Sequence, residues 1–118
     1  MNKEFVPHEQ ALELKELGFD EPCFGWYSNM EGNVLRQGYC ETYLGIENCT
    51  KAPLYQQAFR WFREKYDITQ TIARDGSLAK EGRWAYTIIA DLIYFNDGYF
   101  TYEEAELECL IKLIELVK

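Results

Sequence analysis

Arg83-Trp84-Ala85-Tyr86-Thr87-Ile88-Ile89-Ala90-Asp91-Leu92 is the stretch on which the fold turns. Its period of two puts Trp84, Tyr86, Ile88, Ala90 and Leu92 on one face and Arg83, Ala85, Thr87 and Ile89 on the other. Towards its end both faces are apolar, which predicts a strand in the middle of a sheet. Such a strand needs neighbours. Upstream, Ile68-Thr69-Gln70-Thr71-Ile72-Ala73-Arg74 is rich in β-branched residues and reads as one of them. Asp75-Gly76 opens a turn between the two, and the chain to Gly82 forms the hairpin tip. Downstream, Ile93-Tyr94-Phe95 continues the strand or begins another edge, and Asn96-Asp97-Gly98 reads as a turn.

Three helices frame these strands. Thr101 with Glu104 three residues on is a capping box, and the helix it starts runs through Leu107, Cys109, Leu110, Ile111, Leu113, Ile114, Leu116 and Val117. Those apolar positions spread well beyond the stripe of an ordinary surface helix, so either both sides are covered within the protomer or, the favoured reading, one side meets a second copy of the chain, with Leu110 and Ile114 contributing. A first helix lies between Pro7 and Gly18, with Ala11, Leu14 and Leu17 along one side. A second runs from about Pro53 to Tyr66, with Tyr55, Ala58, Phe59, Phe62 and Tyr66 facing the core and Trp61 off that stripe. Pro22–Tyr27 and Val34–Arg36 read as a hairpin around a polar turn. Residues 37–52 give no assignment, because glycines and Asn48 break their apolar pairs apart. The expected order is α-β-β-α-β-β-α, an α+β fold with one antiparallel sheet of about four strands and helices packed mainly on one face.

At 118 residues the chain is expected to be a single domain, spanning 1–118, with a core that needs no staples. Its net charge of −8 disfavours general binding to nucleic acid. Cys23, Cys40, Cys49 and Cys109 form no CxxC pair, and one histidine cannot complete a zinc set, so free thiols in a reducing cytosol are expected, with no metal and no cofactor. Cys40 and Cys49 are the pair closest in sequence. No apolar run is long enough to cross a bilayer, and nothing resembles a signal peptide.

Catalytic motifs are missing. His8 sits in a first helical turn with no partner nearby in sequence and reads as a solvated residue. No phosphate-cradling glycine loop occurs, and the acidic run Glu103, Glu104, Glu106 and Glu108 fits a helix start better than a metal site. The chain is therefore expected not to be an enzyme. What stands out is the middle third: residues 51–83 carry seven basic and four acidic groups, a local +3 interleaved with aromatics. Arg60, Trp61, Arg63, Arg74, Arg83 and Trp84 form a candidate ligand site, joined by Lys65 and Lys80. Arginine forks match phosphate, and tryptophan offers a flat face to a base. The alternative is that both tryptophans are core and the cations are spread over the surface.

Three segments carry a resemblance: Asn2–Pro7 running on to Ala11–Cys23, Gln57–Tyr66, and Thr101–Glu106 through Cys109-Leu110. Together they resemble a group of small uncharacterised proteins from phages and prophages of gut Bacteroides-like bacteria. The resemblance implies a phage accessory protein acting in the host cytoplasm against host defence, by analogy with sponges that sequester cyclic nucleotide immune signals. The expected ligand is then a small phosphate-bearing nucleotide held by a homo-oligomer. The alternative partner is a host defence protein, blocked through an acidic and aromatic surface.

Overall fold

The computed structural model describes residues 4–28, 35–37, 42–43, 46–47, 49–74 and 83–118. The hairpin tip over 75–82, with Lys80, lies outside the described residues, as does Cys40, and the side chain of Cys49 is not described. The chain forms two compact units, Met1–Ala58 and Phe59–Lys118.

The first unit begins with α1 (His8–Glu16), preceded by Pro7 at its N-cap. Gly18, at φ 101°, stops it: the Phe19 amide donates to the Leu14 carbonyl at 2.9 Å and the Gly18 amide to Lys15 at 3.0 Å. That is the paired closure a left-handed residue makes possible at a helix end. Strand β1 (Gly25–Ser28) pairs antiparallel with β2 (Leu35–Gln37), as the hairpin reading expected. The unassigned stretch holds three further strands. Thr42–Tyr43 (β3) and Ile46–Glu47 (β4) pair with each other, while β5 (Cys49–Ala52) returns to the free side of β1. The order is β2-β1-β5. Phe5, Val6, Leu14, Phe19, Tyr27 and Ala52 are buried, and the Tyr27 hydroxyl donates to the Val6 carbonyl at 2.7 Å. His8 is not the solvated residue expected. Its ring packs edge-on against Tyr27 at 5.1 Å, and its Nε2 is buried without a hydrogen-bond partner.

Helix α2 (Tyr55–Tyr66) starts in the first unit and runs into the second. There β6 (Thr69–Arg74), β7 (Trp84–Ile89) and β8 (Ile93–Tyr99) form an antiparallel sheet of order β6-β7-β8, with α3 (Tyr102–Val117) packed on one face. β7 is central, as its two-sided apolar pattern requires. The Thr101 hydroxyl accepts from the Glu104 amide at 3.1 Å, which makes the N-terminal cap of α3 that the sequence announces.

Two expectations change here. The strands do not join one sheet of four: among the described residues, two three-stranded sheets and the β3–β4 pair stand in its place. Asn96-Asp97-Gly98 is not a turn but the irregular end of β8. Tyr86 faces Asn96 and Trp84 faces Tyr99, so β8 spends one residue more than β7 between those pairs. Gly98, at φ 89°, supplies the left-handed conformation such a bulge needs.

Candidate functional site

The sheet register decides which of the expected ligand residues meet. Arg74 and Trp84 are cross-strand partners, with the guanidinium carbon 5.7 Å from the indole centroid. Trp84 meets Tyr102, the first residue of α3, edge-on at 5.2 Å, so this pair lies on the helix-covered face. Arg83 is one residue away, and alternation turns it to the opposite face. Its guanidinium lies 4.3 Å over Phe100, and its Nη1 donates to the Gly98 carbonyl at 3.5 Å. The base of the β6–β7 hairpin thus gathers Arg74, Arg83 and Trp84 with Phe100 and Tyr102. The sheet itself parts them into two groups, back to back.

The remaining candidates sit elsewhere. Arg60 and Arg63 are on the exposed side of α2, where Arg60 pairs with Glu64 one turn on at 3.5 Å. Arg63 lies in the last turn of α2, six residues before β6 begins, whereas Arg74 ends that strand, five residues and about 17 Å beyond its start. Trp61 is 7% exposed and packs edge-on against Phe62 and Tyr66, with the Lys65 ammonium 4.9 Å from its ring. Its indole face is therefore core surface and offers no platform to a base. Leu110 and Ile114, expected to meet a second copy, are 0% and 2% exposed. They belong to the chain's own interior, which corrects their reading as interface residues. The helix is apolar over a wide arc because much of that arc is buried within the protomer.

The uncovered face of the β6-β7-β8 sheet is the feature that sequence reasoning missed. Register puts Thr69, Thr71 and Ala73 of β6, Ala85, Thr87 and Ile89 of β7, and Ile93 and Phe95 of β8 on it together. None of these carries a charge. Ile93 is 71% exposed and Phe95 60%, with Ile89 and the turn residue Leu92 also at the surface, and Phe100 (70%) lies further along beside Arg83. Scattered exposed apolar residues are ordinary, but a row of them on one strand marks an interaction surface. β8 is also an edge strand, seven residues long, with no proline and no lysine to discourage pairing. The available signal was the alternation of Ile93 and Phe95 directly after a central strand.

Burial holds the phenol and the thiol beneath the sheet neutral. Burial, with Tyr99 and Cys109 beside it, pushes the Tyr86 hydroxyl up to about 12, and burial next to Glu106 pushes the Cys109 thiol up to about 12. In the first unit, burial raises the Cys23 thiol to about 11. Thiols held this high carry almost no thiolate and make poor nucleophiles. Among the described residues no three His, Cys, Asp or Glu side chains group to hold a metal, and no helix is long and apolar enough to cross a membrane. Compared with protein-family profiles, with curated proteins and with solved structures, the chain matches none.

Proposed function

We propose that the chain is a non-enzymatic binding protein that takes up an extended segment of a partner polypeptide along β8. The observation that carries this reading is the row of Ile93 and Phe95, 71% and 60% exposed, at the regular end of an edge strand, before its bulge at Asn96-Asp97-Gly98. An added strand gains main-chain hydrogen bonds from the edge and side-chain specificity from the row beside it. Residues 84–118 carry two basic and seven acidic groups, so an acidic segment would be repelled. The favoured occupant is apolar at alternate positions and neutral or basic between them. On the resemblance to phage and prophage proteins, that partner would be a host defence protein.

The test is selection from a library of short random peptides, followed by amide hydrogen exchange with the best binder. Alternating apolar peptides should be enriched, the β8 amides should slow on binding, and Phe95→Ser should weaken affinity about five- to over a hundredfold. Binding that protects amides elsewhere, or that ignores Phe95→Ser, would refute the reading. A dimer whose β8 amides are already slow without peptide would assign the edge to a second copy.

A second reading, sequestration of a small phosphate-bearing nucleotide, is favoured by one observation. The Arg83 guanidinium lies over a largely exposed Phe100 ring, which sets a phosphate donor beside a stacking face. Calorimetry with cyclic dinucleotides and trinucleotides tests it, with Arg83→Ala expected to abolish any heat.

A further inference from the structure

At the far end of the second unit from the arginine hairpin, a cleft of about 290 Å³ opens between the end of α2, the β7–β8 turn and the end of α3. It is lined by Tyr66, Asp67, Asp91, Tyr94 and Leu116, over a floor that includes the buried Ile68. We propose that this cleft binds a small organic ammonium ion.

Three features of the cleft converge on positive charge. Two carboxylates, Asp67 and Asp91, line it from different loops. Two helices end there: Tyr66 is the last residue of α2, and Leu116 lies in the last turn of α3. The carbonyl ends of helices carry partial negative charge, so both termini favour a cation. Two tyrosine rings, Tyr66 and Tyr94, supply the aromatic faces over which alkylammonium groups settle. Those rings already attract the chain's own ammonium groups, with Lys112 Nζ 5.2 Å from the Tyr94 centroid and Lys65 Nζ 5.5 Å from that of Tyr66. The mixture is also selective. A hard inorganic cation wants a full shell of oxygen ligands rather than aromatic faces, while an anion would meet two carboxylates and two helix carbonyl ends, offset in part by the Lys65 and Lys112 ammonium groups. The volume lies at the lower limit of the roughly 300–1,000 Å³ typical of drug-sized ligand sites, so the ligand is small.

Asp67 itself bears on the test. It follows α2 directly, at φ 57°, a left-handed position where glycine is the ordinary choice, and the chain keeps a carboxylate there. Asparagine tolerates that conformation as well as aspartate does, so Asp67→Asn removes the charge and leaves the backbone unstrained. The inference does not rest on the β8 reading: Tyr94 belongs to that strand, but alternation puts its ring on the face opposite Ile93 and Phe95.

The experiment is an NMR titration of the isotope-labelled chain with choline at low ionic strength. Its uncharged carbon analogue, dimethylbutanol, serves as the control. Choline should shift the amide peaks of Asp67, Asp91 and Tyr94 saturably, and dimethylbutanol should bind at least about fivefold more weakly. Asp67→Asn and Asp91→Asn should each weaken choline about two- to fivefold, with native spectra otherwise kept. Lys112→Met, which lifts a competing ammonium off the Tyr94 ring, should tighten it. Equal binding of the neutral analogue, an affinity indifferent to the double asparagine variant, or choline shifts confined to other residues would each overturn the proposal.

Discussion

Replacing Glu106 by Gln tests how the interior under α3 tolerates a charge. Glu106 is 7% exposed, and burial, with Glu103 one turn earlier, raises its carboxyl from 4.5 to about 7. In the unfolded chain it loses its proton near the ordinary value, whereas in the folded chain it keeps it until near neutrality. Between those points the folded state binds more protons than the unfolded one, so stability falls as pH rises through this window and levels off above it. Two and a half pH units correspond to roughly 3 kcal/mol. Allowing for water at the rim of the carboxylate leaves about 1–3 kcal/mol. For a chain of this length each kcal/mol moves the melting temperature by about 4 °C. Glu106→Gln cannot ionise. Its melting point relative to the parent should therefore climb by roughly 4–12 °C between acid solution and mild alkali, with most of the change below neutrality. Differential scanning calorimetry of both proteins across that range is the assay. A gap that stays constant with pH would refute the reasoning, because it would mean the folded carboxyl titrates as it does in the unfolded chain.

Leu110→Ala should cost about 2–5 kcal/mol in denaturant unfolding, since the side chain is fully buried, and should do so without dependence on protein concentration. A strong concentration dependence would return Leu110 to a subunit interface. Thr101→Ala removes the hydroxyl that accepts from the Glu104 amide and should cost about 1 kcal/mol, while Thr101→Asp should keep most of that stability. Cys23 and Cys109 should resist iodoacetamide in the native chain at neutral pH and react on unfolding, as mass spectrometry of the labelled peptides would read out. Rapid native labelling of either would contradict thiols held at about 11 and about 12.

What the sequence determined by itself is local. The start of α3 depends on Thr101 and Glu104, three residues apart, and the stop of α1 on Gly18 taking a left-handed conformation. The centrality of β7 follows from the apolar residues on both faces towards the end of Arg83–Leu92. Each of these is settled within a turn of helix or a few strand residues, so the chain's own spacing suffices. The second sheet was not legible, because β1 and β5 pair across more than twenty residues and nothing short-range selects that partner. Neither was the fate of Trp61. Helical spacing puts it off the stripe, and only the packing around Phe62 and Tyr66 buries it. Asn96-Asp97-Gly98 has the composition of a turn, but the partner strand holds it in the ladder and absorbs the extra residue as a bulge. The candidate site divides the same way. Sequence spacing identified Arg74, Arg83 and Trp84 as a group, whereas the register put a sheet between the two arginines. Alternation assigns a side chain to a face of its strand, but what covers that face depends on distant parts of the chain. That is why Leu110 turned inward, and why Ile93 and Phe95 were left uncovered at an edge.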